Sequence, residues 1–201
     1  MPVTAPDGDD PAAVLAVELV DPAAAADLDL VARVTALVNV VYAASEEGIW
    51  QREATRTTVA EVAGLVAAGE IAVARLEGRV VGAVRVRRLA ERTGEFGMLA
   101  GDPGHRGIGI GRELVAFAED HCRAHGMTAM QLELLVPRAW SHPSKVFLDA
   151  WYRRIGYRVL RRTSLEGRYP ELARQLATTC DFVVYEKSLS GPPGSDARAR
   201  R

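Results

Sequence analysis

A glycine-studded turn, Asp102 to Arg112, constrains the fold of this 201-residue chain more than any other stretch. Before it, Gly94 to Ala100 has the length and apolar content of a β-strand. After it, Glu113 to His125 repeats apolar side chains at spacings of three and four, which is a helical period, and Gly126 is a typical helix stop. The turn therefore joins the carboxyl end of a strand to the amino end of a helix.

A turn of this kind is suited to binding phosphate. Successive glycines let backbone N–H groups converge without side chains in the way. The start of the helix adds unpaired N–H groups and the positive end of the helix dipole. Arg106 and Arg112, on either side of the glycines, add positive charge. The sequence therefore predicts a phosphate-binding turn, and the plain alternative is a glycine-rich turn that binds no ligand.

Three phosphate-binding patterns compete for this turn. A P-loop places Lys-Ser or Lys-Thr after the last glycine, whereas this chain has Arg112-Glu113. A dinucleotide fingerprint needs a third glycine inside the helix, where this chain has Leu114. The acyl-coenzyme A pattern Arg/Gln-x-x-Gly-x-Gly/Ala matches Arg106 to Gly111 at every fixed position. The chain thus resembles the GNAT superfamily of acyl-CoA-dependent N-acyltransferases, in which Leu99-Ala100 and Asp102-Pro103 also have counterparts.

The length of the chain suits one domain, and its composition argues against several classes of partner. Residues 1–13 and 190–201 are predicted to be disordered tails around a single domain, residues 14–189. A formal charge of −1 gives no reason to expect nucleic acid or an anionic membrane surface. Cys122 and Cys180 lack metal-ligand spacing and are expected to be buried thiols. With no basic, apolar leader and no apolar run of about 18 residues, the sequence predicts a cytoplasmic protein.

Hydrophobic periodicity predicts the remaining elements. The predicted strands are Val14–Val20, Glu70–Leu76, Val80–Leu89, Gly94–Ala100, Ala129–Val136, Tyr157–Thr163 and Asp181–Ser188, and the predicted helices are Asp21–Tyr42, Thr57–Gly69, Glu113–His125, Pro143–Gly156 and Pro170–Leu176. Their order is that of the GNAT family. The resemblance implies an α/β (α+β) fold, with a mixed, mainly antiparallel sheet of six to seven strands and helices on both faces. It also implies that the strands before the glycine turn and before Pro143 splay apart to admit the pantetheine arm of the cofactor.

Acyl transfer from a thioester to an amine requires a deprotonated amine, a stabilised oxyanion and a proton for the departing thiolate. An alkyl ammonium with a pKa of about 10.4 holds its proton at pH 7, so a base close to the acceptor is valuable. The resemblance implies that Glu95, the acid of Glu-x-x-x-Leu-Ala, is this catalytic base and works through water. It implies that Tyr152, four residues before Gly156, is the catalytic acid. A solvated charge at Glu95 and a half-buried aromatic at Tyr152 are the alternatives.

An oxyanion needs N–H donors rather than a particular side chain. Leu99, Ala100 and Gly101 occupy the strand end where the main chain of the family binds the acyl carbonyl and pantetheine. Gly97 and Gly101 suit a bulged or splayed strand at this place. The resemblance therefore implies a site for acetyl-CoA, the expected cosubstrate. Beside these strand-end residues, the site is expected to include Arg106, Gly107, Ile108, Gly109, Ile110, Gly111 and Arg112.

One position departs from the family pattern. Many relatives have an asparagine seven residues before the tyrosine, bound to the pantetheine arm or to nearby backbone, whereas this chain has Lys145. Either Ser144 takes over that role or Lys145 reaches a phosphate, and the sequence leaves both open. His142 is predicted to cap the helix, with a second catalytic base as the alternative. No metal is expected, and the histidines expected to be structural are His105, His121 and His125.

The family builds its acceptor pocket from two segments, here Tyr42–Arg52 and Ser164–Thr179. The residues expected to bind an amine by charge and cation–π contact are Glu46, Glu47, Trp50, Trp140 and Tyr169. The predicted function is N-acetyl transfer from acetyl-CoA to a primary amine of a small molecule or a protein, by direct attack with both substrates bound. The alternative is a non-catalytic acyl-CoA-binding sensor or assembly module of the same fold. A dinucleotide-dependent redox protein would need a parallel βαβ order that this chain lacks, and a homodimer is the default oligomer.

Overall fold

In a computed structural model that describes residues 14–51 and 55–191, seven strands form one sheet in the order β1-β2-β3-β4-β5-β7-β6. β4 and β5 run parallel, and every other neighbouring pair is antiparallel. The predicted α/β (α+β) class with a mixed, mainly antiparallel sheet is confirmed. The strands are β1 (Leu15–Leu19), β2 (Ile71–Leu76), β3 (Arg79–Ala90), β4 (Thr93–Gly101), β5 (Ala129–Pro137), β6 (Arg158–Ser164) and β7 (Cys180–Ser188).

Helices cover both faces of the sheet, as predicted. The predicted tails, residues 1–13 and 190–201, lie outside the described residues except for 190 and 191. The helices are α1 (Leu28–Ser45), α2 (Val59–Ala67), α3 (Ile110–Ala124), α4 (Pro143–Arg154), α5 (Leu165–Arg168) and α6 (Pro170–Ala173), and two short 3-10 helices span Pro22–Ala26 and Pro103–His105.

The bounds of the first predicted helix are wrong, because this stretch contains two N-caps and forms two successive helices. Asp21 caps the short 3-10 helix, and the extended backbone at Asp27 then interrupts it. The Asp27 carboxylate accepts hydrogen bonds from the N–H groups of Asp29 and Leu30, so α1 begins one residue after this second cap. α1 also continues beyond Tyr42 to Ser45, which shortens the predicted loop that follows.

Each face of the sheet has its own core. On one face, Val31, Val34 and Val38 of α1 are completely buried against β3 and β4. On the other face, α3 lies close to β3, and a Cβ atom at Gly82 would stand 2.5 Å from Cγ2 of Ile110. Both helical layers are thereby fixed relative to the strands that carry the site.

α1 is also the one helix in the described residues that is long and apolar enough to cross a membrane, by length and composition alone. Asp29 and Arg33 interrupt its apolar run. Core helices of globular proteins pass the same test, and the buried valine stripe of α1 shows it to be part of the core.

β4 and β5 separate after the first three of their nine residues. They pair at Thr93↔Ala129, Gly94↔Met130 and Glu95↔Gln131, and the ladder ends there. The expected splay is thus present, and a bulge in β4 accompanies it, because its pairing with β3 shifts register between Ala83 and Arg85. The bulged residue in the left-handed region is Met98, with φ of 49°, and not one of the two glycines expected to allow it.

Candidate active site

A cavity of about 900 Å³ lies at the gap between β4 and β5. Its walls come from both faces of the sheet, since Tyr42 and Arg85 line it from the α1 side and Leu148 and Tyr152 line it from α4. Arg106 and Gly107 of the glycine turn lie at one end. The cavity therefore runs from the turn, through the gap, to the other side of the sheet.

The glycine turn ends in an uncapped helix. Gly109 is the N-cap of α3, has φ of 90°, and offers no side chain to the first N–H groups of the helix. The first backbone hydrogen bond across this end runs from Glu113 N to Gly109 O, at 3.0 Å. The N–H groups of Ile110, Gly111 and Arg112 are thus left for a ligand or solvent, as an anion site requires.

Backbone conformation, and not crowding, explains two of the glycines. Gly107 and Gly109 have φ of 88° and 90°, a region that residues with a Cβ rarely adopt. Nothing in the described structure lies within 4 Å of a Cβ placed at Gly107. In the same stretch, Ile108 is about half exposed, whereas Ile110 is buried in the core beneath the turn.

Tyr152 presents its side chain to the cavity from α4. Its ring packs against those of Phe96 and Tyr185, with centroids 6.1 and 5.8 Å away, and the residue is only 5% exposed. Burial raises the pKa of Tyr152 well above its ordinary value, and the nearby Tyr42 and Tyr185 raise it further. Its hydroxyl has no hydrogen-bond partner among the described residues, so a protonated donor is available to a ligand.

Glu95 lies where the β4–β5 ladder ends, and it lines the cavity. Arg87, its cross-strand neighbour on β3, donates from Nε to Oε2 of Glu95 at 2.5 Å. Partial burial lowers the pKa of Arg87, but the bond and charge of Glu95 outweigh it and raise this pKa overall. Glu95 is therefore neither the freely solvated charge of the alternative hypothesis nor an unpaired base.

The predicted main-chain donors divide into two groups. Leu99, beside the bulge, lines the cavity, as do Gly97 and Met98. Ala100 and Gly101 are paired in the β3–β4 ladder with Ala83 and Gly82. The bulge breaks the regular ladder at the cavity wall, which is where an N–H donor for an oxyanion is required.

Lys145 faces the interior rather than the glycine turn. Its ammonium donates to Oε1 of Glu46 at 2.5 Å, and the two side chains are 4% and 5% exposed. The interpretation in which Lys145 reaches a phosphate disagrees with this geometry, because its charge is already engaged with Glu46. Ser144 lines the cavity beside it and stays a candidate for the cofactor.

His142 is the cap that the sequence predicts. Its Nδ1 accepts from Ser144 N at 3.2 Å, and its Nε2 lies 3.2 Å from Glu47 O. An acceptor at Nδ1 fixes the proton on Nε2, where it is donated to that carbonyl. Both ring nitrogens are thus occupied, which disfavours the role of a second base.

The five proposed acceptor-binding residues do not stay together, and Tyr169 is one of those that line the cavity. Glu46 and Trp50 line the cavity, and Trp50 Nε1 donates to Glu46 Oε2 at 2.5 Å. Glu47 is exposed and lies outside the cavity wall. Trp140 also lies outside it, and its ring packs at a tilt against His142. Because both oxygens of Glu46 already accept from Lys145 and Trp50, Glu46 is a poor anchor for an additional ammonium.

Two segments close the acceptor side, and we call them the roof: residues 45–51 and residues 165–179. Ala177 N donates to Ile49 O at 2.9 Å, and Gln51 N donates to Gln175 O at 2.9 Å. A small buried cluster holds the roof from inside, made of Ile49, Leu135, Leu165 and Cys180. Residues from both segments line the cavity from above: Trp50, Tyr169 and Leu172.

Sequence reasoning missed several charged residues of the cavity wall: Arg56, Glu61, Arg85, Arg87 and Glu133. Arg85 and Arg87 alternate along β3, and their period of two was the available signal that both face one side of the sheet. No sequence pattern marks Arg56 and Glu61, which reach the cavity only through the fold. In the described residues, no group of three or more His, Cys, Asp and Glu side chains is placed to hold a metal ion.

The sequence of the chain is matched by the model of a known family. The sequence model of the "Acetyltransferase (GNAT) family" matches residues 37–157, which is more than half of the chain. The chain belongs to the GNAT family. No curated protein matches the sequence significantly.

Solved GNAT structures share this fold at low sequence identity. The PaiA N-acetyltransferase from Thermoplasma acidophilum, in complex with coenzyme A, has a TM-score of 0.63 and 13% identity, over 87% of this chain and 99% of that one. The yncA protein from Salmonella typhimurium, with acetyl-CoA, has a TM-score of 0.61 and 16% identity, over 90% of this chain and 98% of that one. The IAA acetyltransferase from Bacillus cereus has a TM-score of 0.58 and 15% identity, over 87% of this chain and 99% of that one. At these identities the likeness concerns the fold.

Proposed function

We propose that this GNAT protein transfers an acetyl group from acetyl-CoA to the primary amine of a small molecule, with both substrates bound at once. The observation that carries the proposal is one cavity whose lining includes Arg106 and Gly107 of the glycine turn, residues on both sides of the gap between β4 and β5, and Tyr152. The PaiA and yncA structures, which share the fold, contain coenzyme A and acetyl-CoA.

The residues of the turn fit the diphosphate of the cofactor. Free N–H groups at the start of α3 and the helix dipole favour an anion, and Arg106 adds a charge at the cavity wall. With the diphosphate held there, the thioester arm is directed into the gap. Its carbonyl then lies beside the bulge at Met98 and Leu99, where backbone N–H groups can receive the developing oxyanion.

The chemical step forms one C–N bond and breaks one C–S bond. The lone pair of the amine attacks the thioester carbonyl, and the electron pair of the C–S bond leaves with sulfur. The proton lost by nitrogen passes through water to Glu95, and Tyr152 supplies a proton to the thiolate. Because the tyrosine pKa is raised, Tyr152 carries its proton throughout the neutral range.

Two successive measurements, of acetyl-CoA binding and then of CoA release, test this function. In thermal denaturation, acetyl-CoA at about one hundred times its Kd is expected to stabilise the fold by about 2.7 kcal/mol, whereas NAD has no effect. Release of free CoA is then followed across a panel of primary amines. Binding without amine-dependent release would favour the sensor alternative, and failure to bind acetyl-CoA would refute both. A cytoplasmic location and a homodimer are further proposals, tested by fractionation and by light scattering.

A further inference from the structure

We propose that the acceptor is a small amine that also carries an anionic group, and that Arg56 binds this group at the end of the cavity opposite the glycine turn. The inference rests on the proposed N-acetyltransferase function and names the class of amine. Three observations carry it: the closed roof, the pairing of the other charges, and the placement of Arg56.

The roof limits the size of the acceptor. Its two segments are joined by main-chain hydrogen bonds, Ala177 N to Ile49 O and Gln51 N to Gln175 O, each 2.9 Å long. The side chain of Gln51 adds a third link, from Nε2 to Arg174 O at 3.0 Å. A polypeptide acceptor needs an open groove beside the reacting centre, and these bonds join the two segments that border the cavity on the acceptor side.

Most charges that line the acceptor side are already paired. Lys145 is bound to Glu46, Arg85 to Glu70 at 2.6 Å, and Arg87 to Glu95. The opposite charges of each pair largely cancel, so the pairs contribute little net electric field to the cavity. A ligand charge attracted by one member of a pair is repelled by the other.

Glu61 is accounted for by local structure. It is the third residue after Thr58, the N-cap of α2, whose hydroxyl accepts from Glu61 N at 3.1 Å. The Glu61 carboxylate accepts from the hydroxyl of Thr57 at 2.9 Å. An acid in this position stabilises the first turn of a helix through its dipole, which is reason enough for Glu61 to be there.

Arg56 has no such local explanation. It lines the cavity, and among the described residues it forms no ion pair. Its guanidinium lies 5.0 Å from the ring centre of Tyr42, which orients it by cation–π attraction. The neighbouring backbone is fixed by Asn39, whose amide exchanges two 3.0 Å hydrogen bonds with the main chain of Thr57. A guanidinium that is oriented in this way, and that has no carboxylate partner in the part of the chain that the structure describes, can bind carboxylate, sulfonate or phosphate.

The test uses three matched series of acceptors, each with chain lengths of two to six carbons: ω-amino carboxylates, n-alkylamines and α,ω-diamines. CoA release gives kcat/KM for each acceptor with the full-length protein. The best amino carboxylate is expected to exceed the alkylamine of equal length at least tenfold. Arg56→Gln is expected to reduce that ratio to about one, and to leave the Kd for acetyl-CoA and the rate with alkylamines within about twofold.

Glu61→Gln is the matched control, since it removes the nearby opposite charge. It is expected to leave the preference for amino carboxylates in place. A preference for diamines that Glu61→Gln abolishes would overturn the inference, as would equal losses with amino carboxylates and alkylamines in Arg56→Gln. Efficient acetylation of peptide amines would also overturn it. If acetyl-CoA binds but no amine of any series releases CoA, the proposed function fails, and with it this inference.

Discussion

The two ends of the cavity are built by different means. At the cofactor end, one contiguous turn between β4 and α3 supplies both the backbone conformation and the free N–H groups. At the acceptor end, the roof joins residues 45–51 to residues 165–179, and the buried pair Glu46–Lys145 ties it to α4. The cofactor end therefore depends on local sequence, whereas the acceptor end depends on contacts between distant segments.

The largest effect on this comparison is expected from Lys145→Met. It leaves the carboxylate of Glu46 buried without its partner, which typically costs about 3–5 kcal/mol of unfolding free energy. Urea denaturation measures the loss, and the double variant Lys145→Met/Glu46→Gln is expected to recover part of it. Because the pair belongs to the acceptor end, the Kd for acetyl-CoA should change by less than about threefold.

A loss of acetyl-CoA binding in Lys145→Met would contradict the assignment of Lys145 to the acceptor end. If Lys145→Met weakens acetyl-CoA binding tenfold with little loss of stability, Lys145 belongs to the cofactor end, as the family's asparagine does. Additive losses in the single and double variants would mean that the two charges are not coupled in solution.

Tyr152→Phe tests the point where the two ends meet. In the proposed mechanism the hydroxyl is the proton donor for the thiolate, so its removal is expected to lower kcat about 100-fold or more while the Kd for acetyl-CoA stays the same. Steady-state kinetics and a binding titration measure the two quantities. Tyr185→Phe is the control: its ring also packs on Tyr152, but its hydroxyl donates to Asp149. Equal losses in the two variants would assign Tyr152 a packing role.

A smaller effect is expected at the cofactor end from Gly107→Ala. Forcing a Cβ into φ of 88° costs about 1–2 kcal/mol of stability, and any shift of the turn weakens acetyl-CoA binding. Gly78→Ala is closely matched, with φ of 77° and nothing within 4 Å of the new atom, but Gly78 lies in the hairpin between β2 and β3. Both variants should lose similar stability, and only Gly107→Ala should raise the Kd, by about tenfold. Equal Kd values would show that the turn does not bind the cofactor.

The pH dependence of kcat/KM concerns the acceptor and is tested without a substitution. An alkyl ammonium with a pKa of about 10.4 loses its proton as the pH rises, so kcat/KM should rise about tenfold per unit between pH 7 and 9. Burial raises the pKa of Tyr152, so its proton is retained over this range and no descending limb is expected below pH 10. A descending limb between pH 8 and 9 that Tyr152→Phe removes would contradict the raised pKa.

The sequence predicted the cofactor end because its signals are local. Glycine spacing, a helical period and a strand of the right length are all read within one stretch, Gly94 to Gly126. Even there, the strained residue of the bulge is Met98, since strain in a strand follows from the pairing of β4 with its neighbours and not from the presence of glycine.

The acceptor end was less predictable because its contacts join residues far apart in the chain. Lys145 and Glu46 lie 99 positions apart. Lysine and glutamate are usually found at the surface, so neither residue type indicates a buried pair. Glu47 and Trp140 are expected in the pocket because a charge or an aromatic ring can bind an amine, but the fold places both outside it. The second cap at Asp27 was missed for a different reason, since two capping aspartates six residues apart compete for the same helix start.

The short ladder between β4 and β5 has a mechanical consequence. One half of the sheet contains β1 to β4, and the other half contains β5, β7 and β6. The ladder between the two halves consists of three residue pairs at one end of β4 and β5. Because so few hydrogen bonds join the strands here, the two halves depend on side-chain packing, and one buried cluster contains residues of β3, β4, β5 and β7. A molecule bound in the open part of the gap contacts residues of both halves.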